Sequence, residues 1–223
     1  MSETILDEGF VRTAKDLWNK HGNLILTIVL IVVVAFTALR YWNNYQDKLK
    51  MEASVSYQNL IMESQGASPN KEALFAKGNT IMTEYPDTVY AKFSALLLAS
   101  IYVSENNLDS AKNSLKWVVK NSDNTLLKSV ANERLARVLV AEKSYQAAID
   151  LLDKANINKS FQTSKEIVLG NAYAGLGKQE EAKSAWNSAL RGLTKPDDEM
   201  LKNLLTMKIN DLDVAIATTH AKK

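Results

Sequence analysis

The sequence predicts an all-α protein in which one N-terminal transmembrane helix precedes a solenoid of paired helices. Three observations lead to this prediction. A long apolar run lies near the N-terminus, and a pattern of small and large apolar residues recurs about every 34 residues. The chain of 223 residues also contains only 3 prolines and 8 glycines. Because hairpin turns are rich in glycine and proline, this composition predicts few of them. No stretch shows the alternation of apolar and polar residues that is typical of a half-buried strand.

The apolar run comes first in the chain. Residues 24–39 contain no charged side chain, and Thr27 and Thr37 are their only polar ones. With its flanks the run supplies the roughly 20 residues that cross a hydrocarbon core about 30 Å thick. In lipid only a helix satisfies the backbone of such a segment, because no water is present to do so. We therefore predict a transmembrane helix over residues 22–42.

The flanks of this segment favour a retained anchor over its alternative, a cleaved signal peptide. A signal peptide has a short basic leader and small residues before the cleavage site. Here the leader carries four carboxylates, and the bulky Tyr41 and Trp42 directly follow Arg40. Aromatic rings favour membrane interfaces, and Trp18 and Trp42 are spaced to reach both. We assign Trp18, Arg40, Tyr41 and Trp42 as the flanks of the anchor.

Four segments follow from this assignment: a short cytoplasmic head (1–21), the transmembrane helix (22–42), a repeat domain (43–217) and a flexible tail (218–223). The head is placed inside because a short head before a lone anchor favours that orientation. Lys and Arg are balanced on the two sides of the span, so charge alone leaves the orientation open. The head itself is either an amphipathic surface helix or a leader that positions the anchor.

Composition excludes several function classes. The formal net charge of +2 offers no electrostatic case for a nucleic-acid partner. Without cysteine the chain has no disulfide, thiolate metal site or thiol nucleophile. His21 and His220 belong to no metal-spaced cluster. The glycines near residue 175 follow no predicted strand and so do not form a phosphate loop. We expect no cofactor, no metal and no enzymatic activity.

A repeat is clearest in the last third of the chain. The tetratricopeptide (TPR) pattern has Leu-Gly at positions 7–8, Tyr at 11, Gly at 15, Ala at 20, an aromatic residue at 24 and Ala at 27. The sequence supplies each of these types, at Leu169, Gly170, Tyr173, Gly177, Ala182, Trp186 and Ala189. It departs from the pattern at positions 4 and 32, which are Glu166 and Thr194. This match is specific to TPR-like helical pairs.

Earlier copies of the repeat are weaker. The template fits around Leu135-Ala136, then less well around Leu98-Ala99, and a degenerate first repeat is expected over 51–86. The step from Ala111 to Ala148 is 37 residues, which predicts a longer turn in that repeat. Because one helical pair cannot bury its apolar face alone, the pairs are expected to stack, with their large aromatic residues in the core. A last helix after Pro196 is predicted to cap the stack, and the alternative is that it forms a surface on which a partner docks.

Recognition is the function class that remains. In a TPR stack the first helix of each repeat lines a concave groove. We predict partner-binding residues on these helices, at Phe93, Leu96, Ser100, Glu133, Arg137 and Asn171. Arg137 and Asn171 are the groups suited to a partner's backbone or carboxylate. The alternative is that both are ordinary solvated surface residues.

The chain also resembles the YfgM family. The similarity lies in Arg40-Tyr41-Trp42-Asn43, Ser56-Tyr57-Gln58-Asn59, Arg134-Leu135-Ala136-Arg137-Val138, the segment from Gly177 to Trp186, and Met207-Lys208-Ile209-Asn210-Asp211-Leu212. It extends over nearly the whole chain and is more specific than a general TPR match.

This resemblance implies an ancillary subunit of a SecYEG-type translocon. It places the protein in the inner membrane of a Gram-negative bacterium, with the head in the cytoplasm and the TPR domain in the periplasm. It also implies a PpiD-type periplasmic chaperone as partner, besides membrane lipid and unfolded secretory polypeptides. Two other functions stay open from the residues alone. One is a cytoplasm-facing TPR adaptor that recruits a soluble regulator or enzyme, and the other is a structural subunit of an envelope assembly machine.

Overall fold

The computed structural model describes residues 3–220, and these residues form helices, turns and short connections without a strand. The predicted all-α class is therefore confirmed. The chain divides into two compact units, residues 1–51 and residues 52–223. Each unit has its own organisation.

The first unit is formed by helix α1, which runs from Glu3 to Ser64 and continues into the second unit. Among the described residues this is the one helix long and apolar enough to cross a membrane. Its large apolar side chains are mostly exposed, as Leu30 (63% exposed) and Phe36 (62% exposed) illustrate. Such exposure costs free energy in water and none in lipid.

The two polar side chains in this apolar segment are satisfied within the helix. The hydroxyl of Thr27 donates to the carbonyl oxygen of Asn23 at 2.8 Å, and that of Thr37 donates to Val33 at 2.9 Å. Each threonine thus returns its hydrogen bond to the preceding turn. Neither hydroxyl needs a partner from outside the helix, which suits a segment surrounded by lipid.

The second unit contains the last turns of α1 and, within the described residues, eight further α-helices. They are α2 (Lys71–Glu84), α3 (Val89–Ser104), α4 (Leu108–Asn121), α5 (Thr125–Ala141), α6 (Tyr145–Lys154), α7 (Gln162–Gly175), α8 (Gln179–Gly192) and α9 (Glu199–His220). Short 3₁₀ turns at Lys159–Phe161 and Pro196–Asp198 precede α7 and α9.

Asparagine marks the start of several of these helices. The side-chain oxygens of Asn70, Asn107 and Asn124 accept backbone N–H groups from the first turns of α2, α4 and α5, at 2.8–3.1 Å. These bonds satisfy donors that a helix cannot satisfy internally. Because the caps are local, the boundaries of these helices follow directly from the sequence.

The helices pair as α3/α4, α5/α6 and α7/α8, and the core is a series of overlapping clusters between neighbouring pairs. One cluster joins α3, α4 and α5, the next joins α5 to α8, and the third joins α7, α8 and α9. A fourth cluster joins the end of α1 to α2 and α3 through Leu60, Leu74 and Ala91. Such nearest-neighbour packing is the signature of a solenoid.

One detail of the repeat differs from the prediction. The 37-residue step from Ala111 to Ala148 does not arise from a longer turn, because residues 122–124 connect α4 to α5 and residues 142–144 connect α5 to α6. The additional residues lie inside helices: α5 has 17 residues, whereas α7 has 14. The turn prediction is therefore wrong.

The three turns within the repeats share one backbone conformation. Asn106, Lys143 and Gly177 have positive φ angles of 57°, 63° and 74°. The N–H of the residue after each donates back to the carbonyl of Tyr102, Leu139 or Tyr173, at 2.8–3.0 Å. This is the hydrogen bond that closes a helix with a left-handed C′ residue. Position 15 of the repeat thus reverses the chain even where the residue is not glycine.

Candidate partner-binding groove

An open groove lies between α3 and α5, the first helices of two successive repeats. It consists of two adjoining cavities of about 460 and 270 Å³. The lining is largely aliphatic and aromatic, and both cavities are bordered by Ser100 and Arg134. The larger cavity continues to Tyr57, whose ring centroid is 5.8 Å from that of Phe93. Burial raises the pKa of Tyr57.

Four of the six predicted partner-binding residues line this groove. Phe93 and Leu96 belong to the larger cavity, Ser100 to both, and Arg137 to the smaller one. Leu96 is only 8% exposed and forms part of the floor, whereas Ser100 is open to solvent. The shared position of Phe93, Leu96 and Ser100 follows from α3 alone, because residues spaced by three and four share one helical face.

Arg137 is already engaged within the protein. Its Nε donates to Glu133 Oε1 one turn earlier, and its Nη2 donates to Ser164 Oγ on α7 at 3.0 Å. The Ser164 hydroxyl in turn donates to Glu133 Oε1 at 2.6 Å. Glu133 is 7% exposed, so this network supplies the hydrogen bonds that a buried carboxylate requires. Glu133 and Arg137 therefore join two repeats to each other.

Asn171 lies apart from this groove. It borders a different cavity, between α7 and α9, and its Oδ1 accepts a hydrogen bond from Lys208 Nζ at 2.8 Å. The same ammonium lies 5.3 Å from the centroid of the Trp186 ring. Burial lowers the pKa of Lys208. The last helix thus supplies the partner of Asn171.

Arg134 is a charged groove residue that was not among the predicted partner-binding residues. It is exposed, it borders both cavities, and no described residue forms a hydrogen bond or ion pair with it. A signal for it was present, because Arg134 precedes Arg137 by three residues and so shares its helical face. The template positions alone pointed to Glu133 and Arg137 instead.

The geometry is that of a stack of helical pairs with a groove along the first helices. Residues 15–214 match the sequence model described as a tetratricopeptide repeat-like domain. The chain belongs to this family. The match covers most of the chain and includes the apolar segment of α1 as well as the helical pairs. The TPR-like prediction made from the spacing around Gly170 is therefore confirmed.

Curated relatives extend over nearly the full chain. The "Ancillary SecYEG translocon subunit" of Neisseria gonorrhoeae is 26% identical over 198 residues, covering 89% of this chain and 93% of the relative. The protein of the same name from Escherichia coli is 28% identical over 204 residues, covering 92% and 95%. That of Aggregatibacter actinomycetemcomitans is 23% identical over 212 residues, covering 95% and 100%.

These relatives confirm the resemblance to the YfgM family of ancillary translocon subunits. No solved structure is significantly similar to the chain. The relatives' names describe a subunit and the matching domain is a repeat, so neither comparison indicates a catalytic family. The apolar helix and the translocon-subunit relatives together support a membrane-anchored protein.

Proposed function

We propose that this protein is a single-pass inner-membrane adaptor of the Sec translocon. Its head would lie in the cytoplasm and its TPR-like domain in the periplasm, where it links emerging polypeptides to periplasmic chaperones of the PpiD type. The observation that carries the proposal is the similarity to ancillary SecYEG translocon subunits over 89% and 92% of the chain. Lipid around α1 and unfolded secretory polypeptides are its further partners.

Two features of the molecule support an adaptor. The apolar segment of α1 suits a helix in lipid, because its large side chains are exposed and its threonine hydroxyls are satisfied internally. The second unit presents an open apolar groove and, among the described residues, no cluster of metal-binding side chains. An anchor joined to a domain with a binding groove fits a protein that holds one partner beside another.

Co-purification tests the association with the translocon. The tagged full-length chain is solubilised in a mild detergent that keeps SecYEG intact, and its partners are identified. We expect translocon subunits and a periplasmic chaperone to be recovered with it. A matched bait retains the anchor but lacks residues 52–223. If the translocon is absent from the full-length sample under conditions that preserve it, the proposal is wrong.

Cysteine labelling tests the orientation. The chain has no native cysteine, so single cysteines at Lys178, in the repeat domain, and at Lys15, in the head, report without background. Both positions are exposed. In spheroplasts treated with a membrane-impermeant maleimide, we expect Lys178→Cys to be labelled at once and Lys15→Cys only after lysis. The reverse result would place the domain in the cytoplasm and favour recruitment of a soluble partner there.

A further inference from the structure

The last helix, α9, carries apolar side chains on two sides, and the stack covers only one of them. On the covered side, Leu205 and Ile209 pack in the cluster that holds Trp186. On the other side, Met200, Leu204 and Met207 are 80%, 43% and 58% exposed. Their spacing of four and three residues places these three side chains on one face of the helix. We call them the α9 stripe.

An apolar stripe is unexpected at the end of a solenoid. A terminal element has no further repeat stacked on it, and its outer face is normally polar for that reason. A contiguous exposed apolar surface marks a site of interaction with another molecule. Two of the three side chains are methionines, which are flexible and adapt to the shape of a partner. The α9 stripe is therefore suited to be covered by a partner.

The charges at its ends indicate the chemistry of that partner. Asp197 precedes the α9 stripe by three residues and Asp211 follows it by four. Both are exposed, and no described residue forms a hydrogen bond or an ion pair with either carboxylate. Lys208, one turn before Asp211, donates instead to Asn171 at 2.8 Å. A partner with a cation at each end of its apolar surface would complement these two carboxylates.

The same charges argue against two other occupants. Antiparallel pairing with a second copy of α9 would bring Asp211 of one copy close to Asp197 of the other, and parallel pairing would align each aspartate with its counterpart. Like charges would meet in either case, which disfavours a symmetric dimer through this face. Anionic lipid headgroups would meet the same two carboxylates. The α9 stripe thus favours a basic protein partner.

The polarity of the surface indicates that the partner is helical there. An extended chain lying across three apolar side chains would leave backbone N–H and C=O groups without partners, which is unfavourable once they are removed from water. A helix satisfies these groups internally. In addition, side chains three and four residues apart form a ridge that fits between the ridges of a second helix.

We propose that the α9 stripe docks an amphipathic helix of a partner protein, with large apolar side chains in a row and a lysine or arginine at each end of that row. The apolar row covers Met200, Leu204 and Met207, and the cations pair with Asp197 and Asp211. The inference rests on the adaptor function proposed above, for which it names the chemistry of one bound partner. This surface is distinct from the groove between α3 and α5.

Peptide binding by the purified full-length chain in nanodiscs of zwitterionic lipid tests this proposal. The probe is a fluorescein-labelled helical peptide of alanine and glutamine, with three leucines spaced like the α9 stripe and a lysine one turn beyond each end. In matched peptides the lysines become glutamine or the leucines become serine. Fluorescence anisotropy measures binding, and the signal from empty nanodiscs is subtracted. We expect the probe to bind about tenfold more tightly than either matched peptide.

Variants of α9 locate the binding site. Met207→Gln should weaken binding of the probe about tenfold. Met62→Gln is its matched control, because Met62 is equally exposed but belongs to α1, and it should have no effect. The double variant Asp197→Lys/Asp211→Lys should reverse the preference, so that a peptide with glutamate in place of both lysines binds more tightly than the probe. Circular dichroism verifies that each variant is folded.

Four results would overturn the proposal. They are absence of binding above empty nanodiscs, equal affinity for the lysine and glutamine peptides, binding that Met207→Gln leaves unchanged, and a preference that the double variant does not reverse. Since the assay contains no translocon, its failure is distinct from failure of co-purification.

Two further measurements distinguish the other occupants. Prolines in the middle of the probe prevent a helix. If that peptide binds as tightly as the probe, the occupant is extended and a helix is wrong. Because the chain has no native cysteine, Met207→Cys reports contact between two copies. If Met207→Cys forms a disulfide-linked dimer on mild oxidation and Met62→Cys does not, the occupant is a second copy and the proposal fails.

Discussion

The indole ring of Trp186 packs directly over Gly170, and this contact joins α8 to α7. A β-carbon on Gly170 would lie 2.9 Å from Cγ of the ring and closer still to two other ring atoms. Trp186 is 3% exposed and lies in the cluster that also holds Leu205 and Ile209 of α9. Positions 8 and 24 of the repeat thus form one packing unit, in which the absence of a side chain on one helix makes room for the largest side chain on the other.

Replacing Gly170 by alanine should destabilise the repeat domain. Alanine favours a helix by about 1 kcal/mol relative to glycine. Its methyl group would overlap a buried ring that cannot move freely, and overpacking costs about 1–3 kcal/mol. We expect a net loss and a Tm lower by several degrees, measured by circular dichroism of the full-length chain in detergent. Ser184→Ala, at an exposed position of α8, is the control and should change Tm little. An unchanged Tm for Gly170→Ala would contradict this packing.

Replacing Lys143 by glycine should stabilise the same domain. Lys143 has a φ angle of 63°, in the left-handed region that disfavours residues with a β-carbon. Glycine removes this strain, and a gain of about 1 kcal/mol is expected. The same substitution at Lys116, exposed in the middle of α4, should instead cost about 1 kcal/mol. Thermal or urea unfolding measures both variants, and opposite signs are the expected outcome.

Replacing each of two adjacent leucines of α9 by alanine should lower the free energy of unfolding by very different amounts. Leu205 is 1% exposed and packs with Trp186, whereas Leu204 is 43% exposed. Leu205→Ala leaves a cavity and should lower the free energy of unfolding by about 2–4 kcal/mol. Leu204→Ala removes the same atoms and should cost less than about 1 kcal/mol. Equal losses in urea unfolding would mean that α9 does not cap the stack through this face.

The ion pair between Lys112 and Glu142 predicts a dependence of stability on pH. Lys112 Nζ lies 2.6 Å from Glu142 Oε1 and 2.9 Å from Asp109 Oδ1. Hydrogen bonds with Glu142 and then Asp109 raise the pKa of Lys112 above its ordinary value of 10.5. Because the folded state holds this proton more tightly, the pair contributes fully below pH 10.5. The contribution is lost as the pH rises through the higher pKa of the folded state.

Lys112→Met should therefore be less stable than the parent at pH 8, and the difference should shrink above pH 10.5. Thermal unfolding at several pH values measures this trend. Lys116→Met is the control, because Lys116 is exposed on the same helix and has no ion pair within the described residues. A difference that grows with pH would mean that the pair does not stabilise the charged lysine.

Charges placed in the apolar segment of α1 should prevent stable insertion. Ile31 and Val34 are 61% and 58% exposed, and an arginine at the centre of a membrane helix costs about 2.5–3.5 kcal/mol. We expect Ile31→Arg with Val34→Arg to move the protein from the membrane pellet to the supernatant in alkaline carbonate extraction. The control is the double variant Val55→Arg/Met62→Arg, which changes the same helix outside the apolar segment and should remain in the pellet. Full retention of the Ile31→Arg/Val34→Arg variant in the pellet would contradict anchoring by the apolar segment of α1.

The sequence by itself determined the apolar segment of α1, the repeat register and the core positions around Gly170 and Trp186. Each of these depends on the order of residues along one or two neighbouring helices, where a period of 3.6 decides which side chains share a face. The caps at Asn70, Asn107 and Asn124 are local in the same sense, because each side-chain oxygen and the backbone N–H that donates to it lie within one turn.

Only the tertiary structure decided which polar residues on the first helices of the repeats keep a free side chain. Arg137 and Asn171 occupy the positions that the repeat template selects, but Ser164 and Lys208 reach them from other helices. Arg134 has no such partner among the described residues, and the left-handed turns at Asn106 and Lys143 form without the expected glycine. The physical reason is distance along the chain: contacts between residues 27 and 37 positions apart depend on how whole helices cross. No local spacing specifies that crossing.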